Sequence, residues 1–438
     1  MGCGASQPKA DAPKQKPAAS AKAAAAPSGP TEQPHPDNGL KGSHELVKFL
    51  GRGGTGDTYL FKDKVTGEEV AIKLMKRPLP KVIMPNILRE IRIQSELGEG
   101  HVNVIKAKEA LLTESHLALV MEYAACGSLT GFVAERWQGA QQSGLFLQED
   151  EARYFFRQFI TAVEYCHKHN VAHRDLKLDN TLMSDDSPPL IKLCDFGFAK
   201  EWANDAQMFT HIGTPVYMSP ELINSRSGAK GYDGQSVDVW ASGVLLIVML
   251  LGTFPFDHIE NPDPNTSEAH LEVWLQQVKG SWNEIPHIRN ALQNLSKECM
   301  DLLNQIFVID STKRISLQGI KDHAWYSVPL SEKFKEGEVK ILADQANIDK
   351  YVNTRQISQS AVAQRNKQLE LMIEAAAQRP NPGSTRQQPL VRIDLRESSV
   401  LTGDGTDLHT LGEEAEGEEA PAEPMKQAAD ANGDSGAH

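Results

Sequence analysis

The spacing of apolar residues changes period along this chain. Residues 46–50, 58–62 and 69–75 are short runs with strand composition, and Ile87, Leu88, Ile91 and Leu97 then recur at helical spacing. Beyond Leu145 the pattern turns helical. Phe155, Phe156, Phe159, Ile160 and Val163 share one helical face, and Glu149, Asp150 and Glu151 precede them, where a helix dipole favours acids. The expected fold is therefore α+β and bilobal: a small β-rich lobe followed by a larger α-helical lobe, together spanning residues 44–326. The sequence has no internal repeat.

The flanks follow no such pattern. Residues 1–43 are rich in Ala, Pro, Lys and Ser and nearly free of large apolar residues, so a disordered arm is expected there. Residues 327–380 read as a C-terminal extension. Within it Val362, Leu369, Met372, Ile373 and Ala376 form an apolar helical stripe that stops before Pro380. The stripe suits either a loosely attached helix or one that docks on the body and regulates it. Residues 381–438 read as an acidic disordered tail; from Glu397 to His438 there are eleven acids and one base, Lys426. Most of the formal charge of −13 thus belongs to the tail, and the balance argues against nucleic acid as a partner. Cys3, Cys126, Cys166, Cys194 and Cys299 match no zinc spacing and suit free thiols in a reducing compartment. The most apolar run, 243–252, is half the ~20 residues a spanning helix needs and reads as a buried core helix. The N-terminus lacks an apolar signal-peptide region, so secretion is not expected.

Gly51, Gly53 and Gly56 spell G-x-G-x-x-G between two strand-like runs. Alone the pattern is weak, because dinucleotide folds carry it and glycines also mark ordinary turns. Here it leads into a strand rather than a helix, with no βαβ unit around it, which argues against a dinucleotide fold. No G-x-x-x-x-G-K-[ST] is present, which excludes a P-loop. Amides free of side-chain bulk suit covering nucleotide phosphates instead. Seventeen residues after Gly56 comes Lys73, ending Val70, Ala71 and Ile72. Such a lysine is ordinarily a snorkelling charge, but this one stands where a cation holds two phosphates, with Glu90 on the next helix as its partner. Alone, Glu90 reads as an exposed helix glutamate. The decisive cluster is His173, Arg174, Asp175, Leu176, Lys177, Leu178, Asp179 and Asn180, followed by Leu193, Cys194, Asp195, Phe196 and Gly197.

These residues resemble the catalytic loop and magnesium-binding motif of protein kinases. Ser219, Pro220 and Glu221 are similar to the end of the activation segment, with Ser for the usual Ala. Asp238, Val239 and Trp240 resemble the start of the buried helix beneath the catalytic loop, and Arg314 stands where kinases place the partner of Glu221. The resemblance covers residues 44–326, with the motifs in order. It implies ATP and Mg2+ as cofactors, and a reaction in which the protein positions groups and neutralises charge. Asp175 is expected to orient the substrate hydroxyl and accept its proton, and Lys177 to stabilise the transferring phosphoryl group. Asn180 and Asp195 are expected to hold magnesium, whose preference for oxygen ligands suits an amide and a carboxylate. The implied nucleotide contacts are Gly51, Arg52, Gly53, Gly54, Thr55, Gly56, Asp57 and Thr58 in the glycine loop, then Ala71, Lys73 and Glu90. Main-chain groups of Glu122 and Ala124 complete the set in a hinge at 121–124. A lysine two residues after Asp175 is the serine/threonine pattern, which implies protein substrates with Ser or Thr.

Within the family the resemblance is to plant kinases related to the sucrose-non-fermenting kinase, in the branch of osmotic stress and abscisic acid. Glu45 to Lys48, Glu151 to Phe156, Tyr165 to His167, Tyr232 to Gly234 and Lys313 to Ser316 carry it. That branch also has a regulatory helix and an acidic tail. The chain departs from the family pattern at Thr58, which replaces the valine over the adenine ring, and at Thr55, which replaces an aromatic at the loop tip. Ser128 replaces a glutamate that recognises a basic residue ahead of the target, so a preference for basic substrates is not implied.

Arg174 before Asp175 marks a kinase switched by activation-loop phosphate, since phosphate and guanidinium pair strongly. The resemblance puts that phosphate on Thr210, paired with Arg174 and Lys200, which implies an upstream activating kinase and a phosphatase. Thr214 is expected to support the catalytic loop, and Cys194 to be a buried, inert thiol, a low thiol pKa marking instead a redox- or electrophile-sensitive one. Met1-Gly2-Cys3-Gly4-Ala5-Ser6 matches the N-myristoylation pattern. Gly2 and Cys3 are expected to carry myristate and palmitate, because one chain alone binds a bilayer marginally. Lys9, Lys14, Lys16 and Lys22 add attraction to anionic lipid. The expected location is the cytoplasmic face of a plasma or ciliary membrane, and the cytoplasm. The rival reading, a pseudokinase scaffold, predicts loss of Lys73, Glu90, Asp175, Asn180 or Asp195; all are present.

Overall fold

In the computed structural model the two apolar periods separate into two lobes. The structure describes residues 35–402 except 137–138, 141–142, 202–213, 226–230, 258–262, 264–265, 281, 285, 355–357, 380–389 and 397–399. The first lobe is an antiparallel sheet of β1 (His44–Arg52), β2 (Asp57–Asp63), β3 (Glu69–Lys76), β4 (Ala107–Leu112) and β5 (His116–Glu122), in the order β1-β2-β3-β5-β4. β3 is central and buried on both faces, which explains its unbroken run Val70-Ala71-Ile72. Helix α1 (Met84–Leu97) has Pro85 in its first turn, where a missing N–H costs nothing, and buries Ile87 and Ile91 against the sheet.

The second lobe contains α2 (Leu129–Ala134), α3 (Glu149–Lys168), β6 (Val171–Ala172), β7 (Thr181–Met183), β8 (Ile191–Leu193), β9 (Lys200–Glu201), α4 (Pro220–Asn224), α5 (Gly234–Leu251), α6 (Ser267–Lys279) and α7 (Lys297–Ile306). The acids Glu149, Asp150 and Glu151 do open α3, in its first turn. α5 is apolar all round because it is the centre of the lobe. Asp233 caps its start, and it ends at Gly252, whose φ of +66° suits glycine. Long and apolar enough to cross a membrane, α5 is nonetheless 89% buried in the protein, as the reading of 243–252 as a core helix expects.

The chain continues through α8 (Glu332–Thr354) and α9 (Gln359–Ala377) to β10 (Val391–Asp394) and β11 (Val400–Thr402). α9 falls where the apolar stripe predicts, and it docks. Leu369, Met372, Ile373 and Ala376 are buried in the same cluster as Ile87 and Ile91 of α1. Two expectations are corrected. The acidic tail does not begin at 381: β10 pairs antiparallel with β4, extending the sheet to β5-β4-β10-β11. Val391 and Ile393, with Leu395 just past the strand, alternate with Arg392, Asp394 and Arg396, so one face is apolar. The body also begins before 44. Leu40 is buried, and Asp37 accepts hydrogen bonds from Thr113 at 2.6 Å and Gly39 N at 2.7 Å, fastening residues 37–43 to the β4–β5 hairpin.

Candidate active site

The glycine loop joins β1 to β2. Gly53 N–H donates to the Gly56 carbonyl at 2.9 Å, closing the turn. A Cβ on Gly56 would lie 2.3 Å from the Leu74 carbonyl oxygen, so this glycine lets β2 lie against β3. A Cβ on Gly51 or Gly54 would meet nothing within 4 Å, so their smallness serves something other than the chain's own packing. Arg52 and Asp57 pair with each other across the loop, at 2.8 and 3.0 Å. Thr58 is opposite both Gly51 and Lys73, and Ala71 lies beside Met121 of β5. Glu122 ends β5, with its carboxylate 2.9 Å from Lys192, and Ala124 is buried in the hinge beyond it.

Lys73 and Glu90 meet at 2.5 Å, both buried. Burial alone would push the Lys73 ammonium down, but the carboxylates of Glu90 and Asp195 hold it above the usual lysine range. Glu90 is thus drawn inward on α1 and is not the exposed helix glutamate that it would be by itself. Asp195 has φ +64° and accepts from Gly197 N at 3.3 Å. A Cβ on Gly197 would lie 3.1 Å from the Asp195 carboxylate and 3.3 Å from that of Glu90. Glycine therefore lets the two acids approach. Phe196 is fully buried against His173, with ring centroids 5.0 Å apart.

The catalytic loop hangs from α5. Asp238, fully buried, accepts the backbone N–H groups of His173 and Arg174 at 2.9 Å each and pairs with His167 at 2.8 Å. This holds Arg174 at φ +64°. Asp175 then faces three partners. Lys177 Nζ lies 2.7 Å from Oδ2, Asn180 Nδ2 lies 2.9 Å from the same oxygen, and Thr214 Oγ1 donates to Oδ1 at 3.0 Å. Lys177 also donates to Thr214 at 3.0 Å, so Thr214 supports the loop, as expected. Arg314 grips Glu221 with two bonds, at 2.5 and 2.9 Å, and lies over Trp240 of α5. Burial of the sulfur, and then the Asp195 carboxylate, push the thiol of the half-buried Cys194 well above its usual range.

The structure thus joins Lys73 to Glu90 and Asp195, and Asp175 to Lys177 and Asn180, with the Cys194 N–H donating to the Asn180 carbonyl at 3.0 Å between the two groups and Thr58 of β2 opposite Lys73. Thr210, Gly2 and Cys3 lie outside the described residues. Arg174 donates to the Phe198 carbonyl at 2.9 Å and to the Tyr232 hydroxyl at 3.0 Å. Burial and the positive charges of Arg174 and Arg89 depress Lys200. Arg89 is a cation that sequence reasoning missed, since only the fold brings its charge to bear on Lys200. Ser128, read as a lost specificity residue, accepts from Gly131 N–H as the N-cap of α2, and Thr130, two residues on, donates to Asp179 at 3.0 Å.

Residues 44–326 match the protein kinase domain family. The serine/threonine-protein kinase SRK2C of Arabidopsis thaliana is 39% identical over 296 residues, covering 68% of this chain and 79% of that protein. The serine/threonine-protein kinase SRK2A of Physcomitrium patens is 40% identical over 283 residues, with 65% and 74% covered. The serine/threonine-protein kinase SAPK3 of Oryza sativa subsp. japonica is 40% identical over 296 residues, with 67% and 80% covered.

Proposed function

This chain belongs to the protein kinase family and is a serine/threonine protein kinase similar to the SRK2 and SAPK enzymes, and from that premise we propose how its residues divide the work. Asp175 accepts the proton of the substrate hydroxyl as its oxygen bonds to the γ-phosphorus. The bond to the β–γ bridging oxygen breaks, and ADP departs with that electron pair. Lys177, shared between Asp175 and Thr214, neutralises the phosphoryl group in transit. Lys73, fixed by Glu90, takes the inner phosphates under the glycine loop. The Asn180 amide nitrogen is occupied by Asp175, which leaves its oxygen as the available donor beside the Asp195 carboxylate. This all-oxygen set fits magnesium, which when bound offsets phosphate charge.

The observation that carries this reading is the Lys73–Glu90 ion pair coexisting with the Asp175 network. A peptide-library phosphorylation assay on wild type and Asp175→Ala tests it. Phosphoserine or phosphothreonine forms with wild type only; equal transfer by the variant would refute the role of Asp175.

We place activation at Thr210, phosphorylated by an upstream kinase and reset by a phosphatase. Support comes from the cationic neighbours Arg174, Lys200 and Arg89 at the base of that segment. Thr210→Ala with undiminished activity would sink this. We place the chain at the cytoplasmic face of a membrane through acylation of Gly2 and Cys3, as the opening motif supports. Unchanged membrane partitioning in Gly2→Ala and Cys3→Ser would remove that claim. Stress or nutrient signalling is the role that the resemblance favours.

A further inference from the structure

Helix α9 buttresses α1, and α1 carries Glu90; what holds α9 in place is the unexpected strand. β10 runs antiparallel along β4, from Val391 opposite Leu112 to Asp394 opposite Glu109. Val391, Ile393 and Leu395 are 6%, 1% and 1% exposed, inside the apolar cluster that joins α9 to Ile87 and Ile91. Leu395 is held at both ends of its peptide: its N–H donates to the Lys108 carbonyl at 2.9 Å, and its carbonyl accepts Arg365 Nη1 at 2.9 Å. Arg365 belongs to α9 and is only 5% exposed. At the far end of α9, Leu79 N–H donates to the Ala376 carbonyl at 3.0 Å and Arg77 Nη2 to the Ala375 carbonyl at 2.7 Å. The helix is therefore fastened near its start to β10 and near its end to the β3–α1 connection.

We propose that β10, clasped by Arg365, is a positioning element for the catalytic Lys73–Glu90 pair. Ile87 and Ile91 flank Glu90 by one helical turn or less, so the surface against which α9 packs also sets the depth at which Glu90 enters the cleft. Release of β10 uncovers the apolar edge of β4, unpairs Arg365 from Leu395, and lets α9 and α1 shift together. Glu90 then leaves Lys73 in part of the population. Nucleotide binds either form, so the turnover falls by the fraction displaced while the KM for ATP holds. The inference rests on the assignment of Lys73 and Glu90 given above.

Ile393→Asp in the full chain is expected to lower kcat at least 10-fold with KM for ATP within twofold of wild type. An excess of a peptide with the sequence of residues 390–402, supplied in trans, restores most of the rate by refilling the β4 edge. Arg365→Ala lowers kcat in the same way, and Arg365→Lys, which keeps a donor for Leu395, retains most of it. Amide exchange in α1 rises in the impaired variants. Because exchange does not depend on catalysis, it judges the proposal even where the roles given to Asp175 and Lys177 fail. Unchanged exchange in α1 with Ile393→Asp, or kcat within twofold of wild type, would overturn the proposal, as would a loss that the peptide leaves unrestored.

Discussion

Glu90 shows how much one buried contact decides. Its carboxylate touches Lys73 at 2.5 Å, in a site from which water is largely excluded, so each charge depends on the other. Glu90→Gln keeps the shape and removes the charge. Lys73 is then left with Asp195 alone, and kcat is expected to fall about 100-fold, the scale of losing one preorganised electrostatic partner. Steady-state kinetics at saturating ATP measures this, and a change under threefold would contradict it. The residues at this scale were legible because each has a fixed chemical task and fixed neighbours. Asp175, Asn180 and Asp195 stand in short, dense motifs. Arg89 was not legible, because a helix-surface arginine has no signature of its own until Lys200 and Arg174 are folded against it.

At the scale of elements, α5 carries the catalytic loop through Asp238 and must itself be rigidly packed. Gly243 permits this: a Cβ there would lie 2.4 Å from Ile306 and 3.1 Å from Phe307. Gly243→Val is expected to cost about 1–3 kcal/mol through overpacking, read as a lowered denaturation midpoint. No loss would mean that α5 and α7 are further apart than described. Strong periodicity made β3, α3, α5 and α9 legible. β10 was lost in composition, because its alternation is only six residues long and runs straight into the acidic stretch that begins at Glu397. Residues 37–43 were hidden likewise, since their hold on the body is one buried leucine, one aspartate with distant partners and main-chain carbonyls bonded by Lys64.

Across the whole molecule, α8 links the two lobes. Gln345 donates to the Gly100 carbonyl and accepts Val102 N–H, each at 3.0 Å, and Gly337 packs on Tyr154 of α3. Between these contacts lies His101, which burial pushes down to about 4 despite the nearby Asp349. The unfolded chain takes up a proton near pH 6.5 that the folded chain refuses until about pH 4, so stability is complete above 6.5 and falls as the pH drops through that window. The loss is roughly 3 kcal/mol, and His101→Asn should flatten the slope in denaturation between pH 6.5 and 4. An unaltered slope would place the titration elsewhere. No local pattern announces such an effect, because the burial of His101 arises only when α3 and α8 close around it.

Asp175 is the proton acceptor within an otherwise intact nucleotide site. Asp175→Asn keeps a polar group of the same shape beside Lys177, Thr214 and Asn180 but removes the base. With kcat and ATP affinity measured together on wild type and this variant, turnover on a serine peptide is expected to fall at least 1,000-fold while ATP affinity stays within about threefold. Turnover retained within tenfold would contradict the account.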